Sequence, residues 1–259
     1  PYGSSFPSVS FADMVDAQLM LLDHLGIGRL RAAIGGSVGG VLAISLATRY
    51  PDRVEVVIPI ASGLEVTELQ ILHNFEQIAA IVADPNFHGG DYYEGDPPND
   101  GLRLARMIGH KTFVSLSALA ERVRSEVASD RGPDDYHLSN SLESYMWHQG
   151  SKFVDRFDAN SYLRIMHAWQ TYDLRGEAGV DTFEDLFDVC GDQRYMVFSI
   201  DSDVCFYPEE QRAISRALKR EGIDHRHITV HSDKGHDSFL LEPSLFAPHL
   251  RDTLLNPWN

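Results

Sequence analysis

A serine set among glycines is the first feature of the sequence that could do chemistry. Residues 35–39 read Gly-Gly-Ser-Val-Gly, which matches the nucleophile-elbow pattern G-x-S-x-G with Ser37 at its centre. On such an elbow a sharp turn from a strand into a helix lifts the hydroxyl above the sheet, and flanking glycines avoid steric clashes. The helix N-terminus supplies backbone N–H groups for an oxyanion. The pattern predicts a serine nucleophile; a Gly-rich phosphate-binding turn is the alternative.

A serine hydroxyl needs a base, and twelve histidines compete for that role. Where such an elbow occurs, the chain order is serine, acid, histidine. His236 follows the last predicted strand near the C-terminus, which is where the base is expected. Asp201 and Asp203 follow the preceding strand, and an acid that is hydrogen-bonded to the imidazole would fix its tautomer. The sequence pattern alone does not choose between the two aspartates.

The elements that must position these residues alternate between helix and strand at both ends of the chain. Apolar runs predict strands at 30–34, 54–60, 195–200 and 227–230. Helices are predicted between and around them at 10–25, 41–50, 209–221 and 244–255. This alternation predicts a parallel sheet with helices on its faces.

The middle of the chain has helical periodicity and no convincing strand. Helices are predicted there at 65–82, 101–127, 139–157, 161–173 and 182–189. We interpret residues 1–61 and 192–259 as an α/β core and residues 62–191 as a helical lid.

Composition limits the function classes. The 259 residues carry a formal net charge of −16, which repels phosphate backbones and anionic lipid, so neither nucleic acid nor a membrane is expected as a partner. Only two cysteines occur, Cys190 and Cys205, and this excludes a disulfide scaffold and favours a reducing cytoplasm. His225 and His227 alternate on one predicted strand, and two imidazoles without a third ligand do not predict a metal site.

Longer motifs resemble the homoserine O-acetyltransferases, in the same order and nearly from end to end. They are GGSVGG at 35–40, RYPDRV at 49–54, GGDYY at 89–93, GLRLARMIGH at 101–110, FVDRFDANSY at 153–162 and GHDSFL at 235–240. The resemblance implies the α/β-hydrolase fold and small-molecule substrates: acetyl-CoA or a similar acyl-CoA as co-substrate, with no permanently bound cofactor, and homoserine or a related amino-acid alcohol as acceptor. It also implies a cytoplasmic homodimer formed through the lid helices.

The resemblance also assigns roles to single residues. It makes Ser37 the acyl-accepting nucleophile and His236 its base. Asp203 becomes the acid, because the family's acid stands three residues before the Phe of a Phe-x-Pro, here at 206–208. The N–H of Val38 is one oxyanion donor. Two further residues would hold the acceptor: Arg106 would bind its carboxylate, and Asp237 would bind its ammonium group.

Three departures from the family accompany this resemblance. Val38 stands where the family usually has Met, but only its backbone is needed. Phe113 stands where the family usually has a Tyr that helps in the substrate site, which leaves serine as acceptor, a succinyl donor or a cephalosporin-type alcohol open. The family also carries an N-terminal segment with the first strands and the second oxyanion donor, which residues 1–259 do not contain.

That last departure leads to an expectation about the functional unit. The elbow strand at 30–34 has neighbours only on its later side, so we expect residues 1–259 to work together with a further N-terminal segment, either as a separate polypeptide or in a longer chain. Two rival functions remain open at this point. One is an esterase that uses the same triad with water, and the other is a truncated, non-catalytic subunit.

Overall fold

A computed structural model describes residues 1–123 and 136–256. The chain forms two compact units. The first, called the sheet unit below, comprises Ser10–Val66 and Thr171–Asn259, and the second, called the helical unit, comprises Pro1–Val9 and Thr67–Gln170. The boundaries expected from the sequence, and the interpretation of 62–191 as a lid, stay predictions.

The sheet unit is built on four parallel strands in the order β1-β2-β3-β4. They are β1 (Leu30–Gly36), β2 (Val54–Ile60), β3 (Arg194–Ile200) and β4 (Asp224–Val230). The predicted parallel sheet is thereby confirmed. Because the carboxyl ends of parallel strands share one edge of a sheet, the segments that follow β1, β3 and β4 begin at the same edge. Those segments carry Ser37, Asp203 and His236.

The helices follow in chain order. They are α1 (Phe11–His24), α2 (Val38–Arg49), α3 (Glu68–Val82), α4 (Asn99–Phe113), α5 (Leu116–Val123), α6 (Ser141–Val154), α7 (Ala159–Thr171), α8 (Leu174–Ala178), α9 (Phe183–Phe187), α10 (Pro208–Arg220), α11 (Ser238–Leu241) and α12 (Ala247–Leu255). The predicted cap of α1 is present, because Ser10 and Asp13 form a reciprocal capping box. The five-residue helix α8 and the four-residue helix α11 were not expected, since one turn is too short to show a hydrophobic period.

Burial in the sheet unit is concentrated on the two central strands. Val56, Ile58 and Phe198 are completely buried, as expected of strands covered on both faces. Each such side chain contributes about 1.5–3 kcal/mol relative to an exposed position. Within the described residues β1 pairs with β2 alone, and its Ile34 is 47% exposed. The elbow strand is therefore an edge strand of the described sheet.

The helical unit holds α4 close to α3 through small residues. Gly101, Ala105 and Gly109 recur every four residues on α4, and a Cβ at Gly101 would lie 2.5 Å from the carbonyl oxygen of Ala80 on α3. The single helix predicted at 101–127 is wrong, because Val114 is extended and separates α4 from α5. The end of that predicted helix, beyond residue 123, lies outside the described residues.

Candidate active site

Ser37 lies on a strained turn between β1 and α2. Its backbone has φ 57° and ψ −131°, a left-handed region that L-residues other than glycine rarely adopt. The turn is held to the neighbouring strand, because the N–H of Ser37 donates to the carbonyl oxygen of Ile60 across 2.9 Å. Strain at a single residue that the surrounding backbone holds in place is typical of a nucleophile elbow.

The glycines of the motif do not all have the same role. A Cβ at Gly35 would lie 1.9 Å from the carbonyl oxygen of Gly39, and a Cβ at Gly36 would lie 2.6 Å from the ring of Phe239. A Cβ at Gly39 would meet no atom within 4 Å. The expectation of a steric clash is therefore correct before the serine and wrong at Gly39. Within the five-residue pattern, close packing therefore excludes a side chain at the two glycines before the serine and leaves room for one at Gly39.

Asp203 and His236 form a buried pair at the same edge of the sheet. The Nδ1–H of His236 donates to Oδ2 of Asp203 across 2.7 Å. The other carboxylate oxygen accepts the N–H groups of Cys205 and Phe206 at 2.8 and 3.0 Å. Both oxygens of Asp203 thus have fixed partners, and the imidazole has one defined orientation, with Nε2 as its second nitrogen. This arrangement is suited to general acid–base chemistry.

Two aromatic rings enclose the imidazole. Phe206 stacks on His236 at 5.6 Å between ring centroids, and Phe239 meets it edge-on at 5.5 Å. Phe239 also lies against Gly36, the residue before the nucleophile. One side chain therefore contacts both the elbow and the histidine. Sequence reasoning used Phe206 only to locate the acid and missed Phe239, although both lie within the motifs that surround the triad.

Asp201 has a different partner. Its Oδ2 accepts Nδ1–H of the exposed His231 at 2.8 Å, and its Oδ1 accepts the N–H of Ser232 at 3.1 Å. Burial works against ionisation of this carboxyl, but the hydrogen bonds from His231 and Ser232 outweigh it and lower its pKa. The choice that the sequence pattern left open is thus resolved in geometry: Asp203 holds His236, and Asp201 does not.

Val38 and Asp237 adjoin the triad residues. Val38 is the first residue of α2, so its N–H has no acceptor inside the helix and belongs to the positive end of the helix dipole. Asp237 is half-buried and directly precedes α11. These positions are compatible with an oxyanion donor and an ammonium ligand, and both roles stay predictions.

Arg106 belongs to the helical unit, on α4. Its guanidinium lies over the rings of Phe153 and Phe113, at 4.9 and 5.3 Å from their centroids. Nearby, burial raises the pKa of the Tyr162 hydroxyl to about 12, although the positive charge of Arg106 opposes this shift. Phe113 thus gives Arg106 an aromatic face at the place where the resembling family has a Tyr. An aromatic surround of this kind orients the guanidinium.

In the parts of the chain that the structure describes, no group of three or more His, Cys, Asp or Glu is arranged to hold a metal ion. Cys190 and Cys205 are both buried, and neither belongs to a disulfide. Among the same residues no helix is long and apolar enough to cross a membrane.

The chain is similar in sequence to proteins of known family. Residues 1–243 match the family described as alpha/beta hydrolase fold. The chain is 38% identical to the homoserine O-acetyltransferase of Natronomonas pharaonis over 265 residues, which cover 99% of this chain and 65% of that protein. It is 39% identical to the homoserine O-acetyltransferase of Haemophilus influenzae over 255 residues, covering 98% and 70%.

Among solved structures, the homoserine O-acetyltransferase from Bacillus anthracis superposes with a TM-score of 0.89 over 100% of this chain and 68% of that one. At 22% identity this likeness shows the fold alone. The chain spans less than two thirds of the length of the Natronomonas relative.

Proposed function

Because the chain belongs to the alpha/beta hydrolase fold family and, within it, to the homoserine O-acetyltransferases, we propose that it transfers an acetyl group from acetyl-CoA to the hydroxyl of homoserine. The observation that carries this proposal is the buried Asp203–His236 hydrogen bond, at the sheet edge where the strained Ser37 directly precedes α2. Nucleophile, acid and base then follow one another along the chain as Ser37, Asp203 and His236, which is the order expected of this fold.

The first half-reaction forms an acyl-enzyme. Ser37 Oγ attacks the thioester carbonyl while Nε2 of His236 takes its proton, and Asp203 stabilises the resulting imidazolium. The N–H of Val38 donates to the oxyanion of the tetrahedral intermediate. Collapse of that intermediate breaks the C–S bond, and His236 returns the proton to the departing thiol of CoA.

The second half-reaction passes the acyl group to the acceptor. His236 takes the proton of the acceptor hydroxyl, whose oxygen attacks the acyl carbonyl on Ser37. Collapse breaks the ester bond to Ser37, which is reprotonated by His236. Arg106 binds the acceptor carboxylate through its planar fork and Asp237 binds the ammonium, so the acceptor class is an amino-acid alcohol.

We further propose that the protein is a homodimer formed through helices of the helical unit. The support comes from α3, whose polarity is inverted relative to a surface helix. Its exposed face includes the large apolar side chains of Leu72, Phe75 and Val82, which are 52–62% exposed. Its buried face consists largely of the amide side chains of Gln70, Asn74 and Gln77. An apolar stripe of this kind marks a protein interface, and a second copy is the occupant we propose.

A cytoplasmic location is proposed as well. It is supported by the two buried cysteines, which do not belong to a disulfide and fit a reducing compartment.

The function is tested by following CoA release from acetyl-CoA with and without L-homoserine. We expect release to continue only when the acceptor is present, and O-acetylhomoserine to form in equal amount. L-Serine, and succinyl-CoA as donor, are tested in parallel because Phe113 leaves the choice of acceptor and donor open. Steady release of CoA and acetate without any acceptor would identify an esterase, and no release under any condition would favour a non-catalytic subunit.

A further inference from the structure

Three consecutive residues after β3 hold the loop that carries His236. Asp201 bonds to His231 and to the N–H of Ser232, as described above. Ser202 Oγ accepts the N–H of Gly235 at 3.0 Å, and Asp203 accepts Nδ1–H of His236 at 2.7 Å. The bond from Ser202 to Gly235 therefore lies one residue before the catalytic pair on both segments.

The loop is also fastened internally. The hydroxyl of Ser232 donates to Oε2 of Glu242 at 2.5 Å and accepts the N–H of Lys234 at 3.1 Å. Ser238, which is fully buried, bonds to Ser232 Oγ at 2.9 Å. The N–H of Ser238 donates to the carbonyl oxygen of Gly235 at 3.1 Å, so Gly235 belongs to this bonded loop and a displacement at Gly235 is passed on to the next residue, His236.

Gly235 has no freedom to compensate by itself. Its φ of 76° is a conformation that other residues rarely adopt, and the residue is buried, so its N–H needs a protein acceptor. Ser202 supplies that acceptor from the segment that also carries Asp203. The Ser202 side chain thereby fixes the position of the loop that carries His236 relative to Asp203.

We propose that Ser202 is a positioning residue that keeps the imidazole of His236 in register with Asp203 and with the elbow. The proposal rests on the proposed function in that it takes Ser37, His236 and Asp203 as the triad. It concerns any reaction that this triad performs, whichever acyl donor and acceptor are used. Loss of the Ser202 hydroxyl shifts the imidazole without removing any group that touches substrate.

The test measures the reactivity of Ser37 with a fluorophosphonate probe, in which the serine oxygen bonds to phosphorus and fluoride leaves. We expect Ser202→Ala to slow labelling roughly 10- to 100-fold, because small misplacements of a catalytic group cost rate in this range. In this variant the pH dependence of the labelling rate should also differ from that of the wild type. The downfield NMR resonance of the His236 Nδ1 proton should shift or broaden. Ser202→Thr, which keeps the hydroxyl, should restore most of the rate.

Ser10→Ala is the matched control. Ser10 Oγ accepts the N–H of Asp13 in the same unit, so this variant also loses a hydroxyl acceptor for a backbone N–H, far from the loop. We expect it to lower the Tm and leave labelling unchanged. A Ser202→Ala protein with the labelling rate and the His236 resonance of the wild type overturns the proposal. Labelling of Ser37 without acyl transfer to any amino-acid alcohol counts against the proposed function and leaves the comparison of the Ser202 variants intact.

Discussion

Nδ1 of His236 lies 2.7 Å from Oδ2 of Asp203, and the two side chains are 3% and 0% exposed. In such a dry setting the carboxylate controls both the tautomer of the imidazole and the energy of its protonated form. The N–H groups of Cys205 and Phe206 hold the carboxylate from its other oxygen. The two side chains are therefore oriented before the reaction begins. Removal of their hydrogen bond should affect the reaction rate more than substrate binding.

Asp203→Asn should reduce the acyl-transfer rate on the order of 10⁴-fold, the size of effect seen when a triad acid loses its charge. Asp201→Asn should be far milder, because Asp201 bonds to His231 at the surface and not to His236. Steady-state kinetics of both variants with acetyl-CoA and homoserine provide the measurement. The reverse ranking of the two variants would show that Asp203 is not the catalytic acid.

Ser37→Ala should abolish acylation and leave the fold intact. Alanine, like serine, is an L-residue at φ 57°, so the backbone strain stays and only the hydroxyl is lost. Mass spectrometry after brief exposure to acetyl-CoA should show one added acetyl group on the wild type and none on the variant. The free energy of unfolding, measured by thermal denaturation, should change by less than about 0.5 kcal/mol. A variant that still acquires the acetyl group would place the nucleophile elsewhere.

Arg106→Lys should raise the KM for the acceptor, because a point charge does not replace a planar fork that binds a carboxylate through two bonds. Formation of the acyl-enzyme should be unaffected, since the acceptor is not involved in that step. Arg103→Lys is the control on the same helix, because Arg103 lies over the Trp147 ring much as Arg106 lies over its own aromatic neighbours. Equal damage to both half-reactions by Arg106→Lys would assign it a structural role.

Gly35→Ala and Gly39→Ala form a matched pair at the elbow. The added methyl group at Gly35 would lie 1.9 Å from a carbonyl oxygen, whereas the one at Gly39 meets nothing within 4 Å. We expect Gly35→Ala to lose soluble expression or most of its activity, and Gly39→Ala to fold normally. Circular dichroism, together with the fluorophosphonate labelling rate of Ser37, tests both. Tolerance at Gly35 would mean that strand and helix are less tightly joined than the structure describes.

Phe75→Glu should convert a dimer into monomers, because it places a charge on the exposed apolar face of α3. Leu255→Glu, at an even more exposed apolar position on α12 of the sheet unit, should leave the dimer unchanged. Sedimentation or light scattering at several protein concentrations gives the molar mass. A monomeric wild-type protein, or dissociation by the control alone, would contradict the proposed interface.

Much of the candidate site was predictable from the sequence because its determinants are local. The elbow pattern around Ser37 is a property of five consecutive residues, and the apolar runs that became β2 and β3 are continuous because both faces of these strands are covered. The parallel sheet follows from alternation of strand and helix, and it sets the edge at which the segments carrying Asp203 and His236 begin. The signal for each of these features lies in a continuous run of residues, although the sheet itself pairs strands that are distant in the chain.

Only the tertiary structure decided the features that depend on which distant atoms meet. Asp201 and Asp203 are two residues apart in one loop, and the packing of the loop 231–236 against them separates their roles. The apolar stripe of α3 lies outside, because α4 packs its glycine-lined surface against the opposite, amide-rich face. The period of the helix determines which residues share a face, but the free energy of packing against the neighbouring helix determines which face is buried.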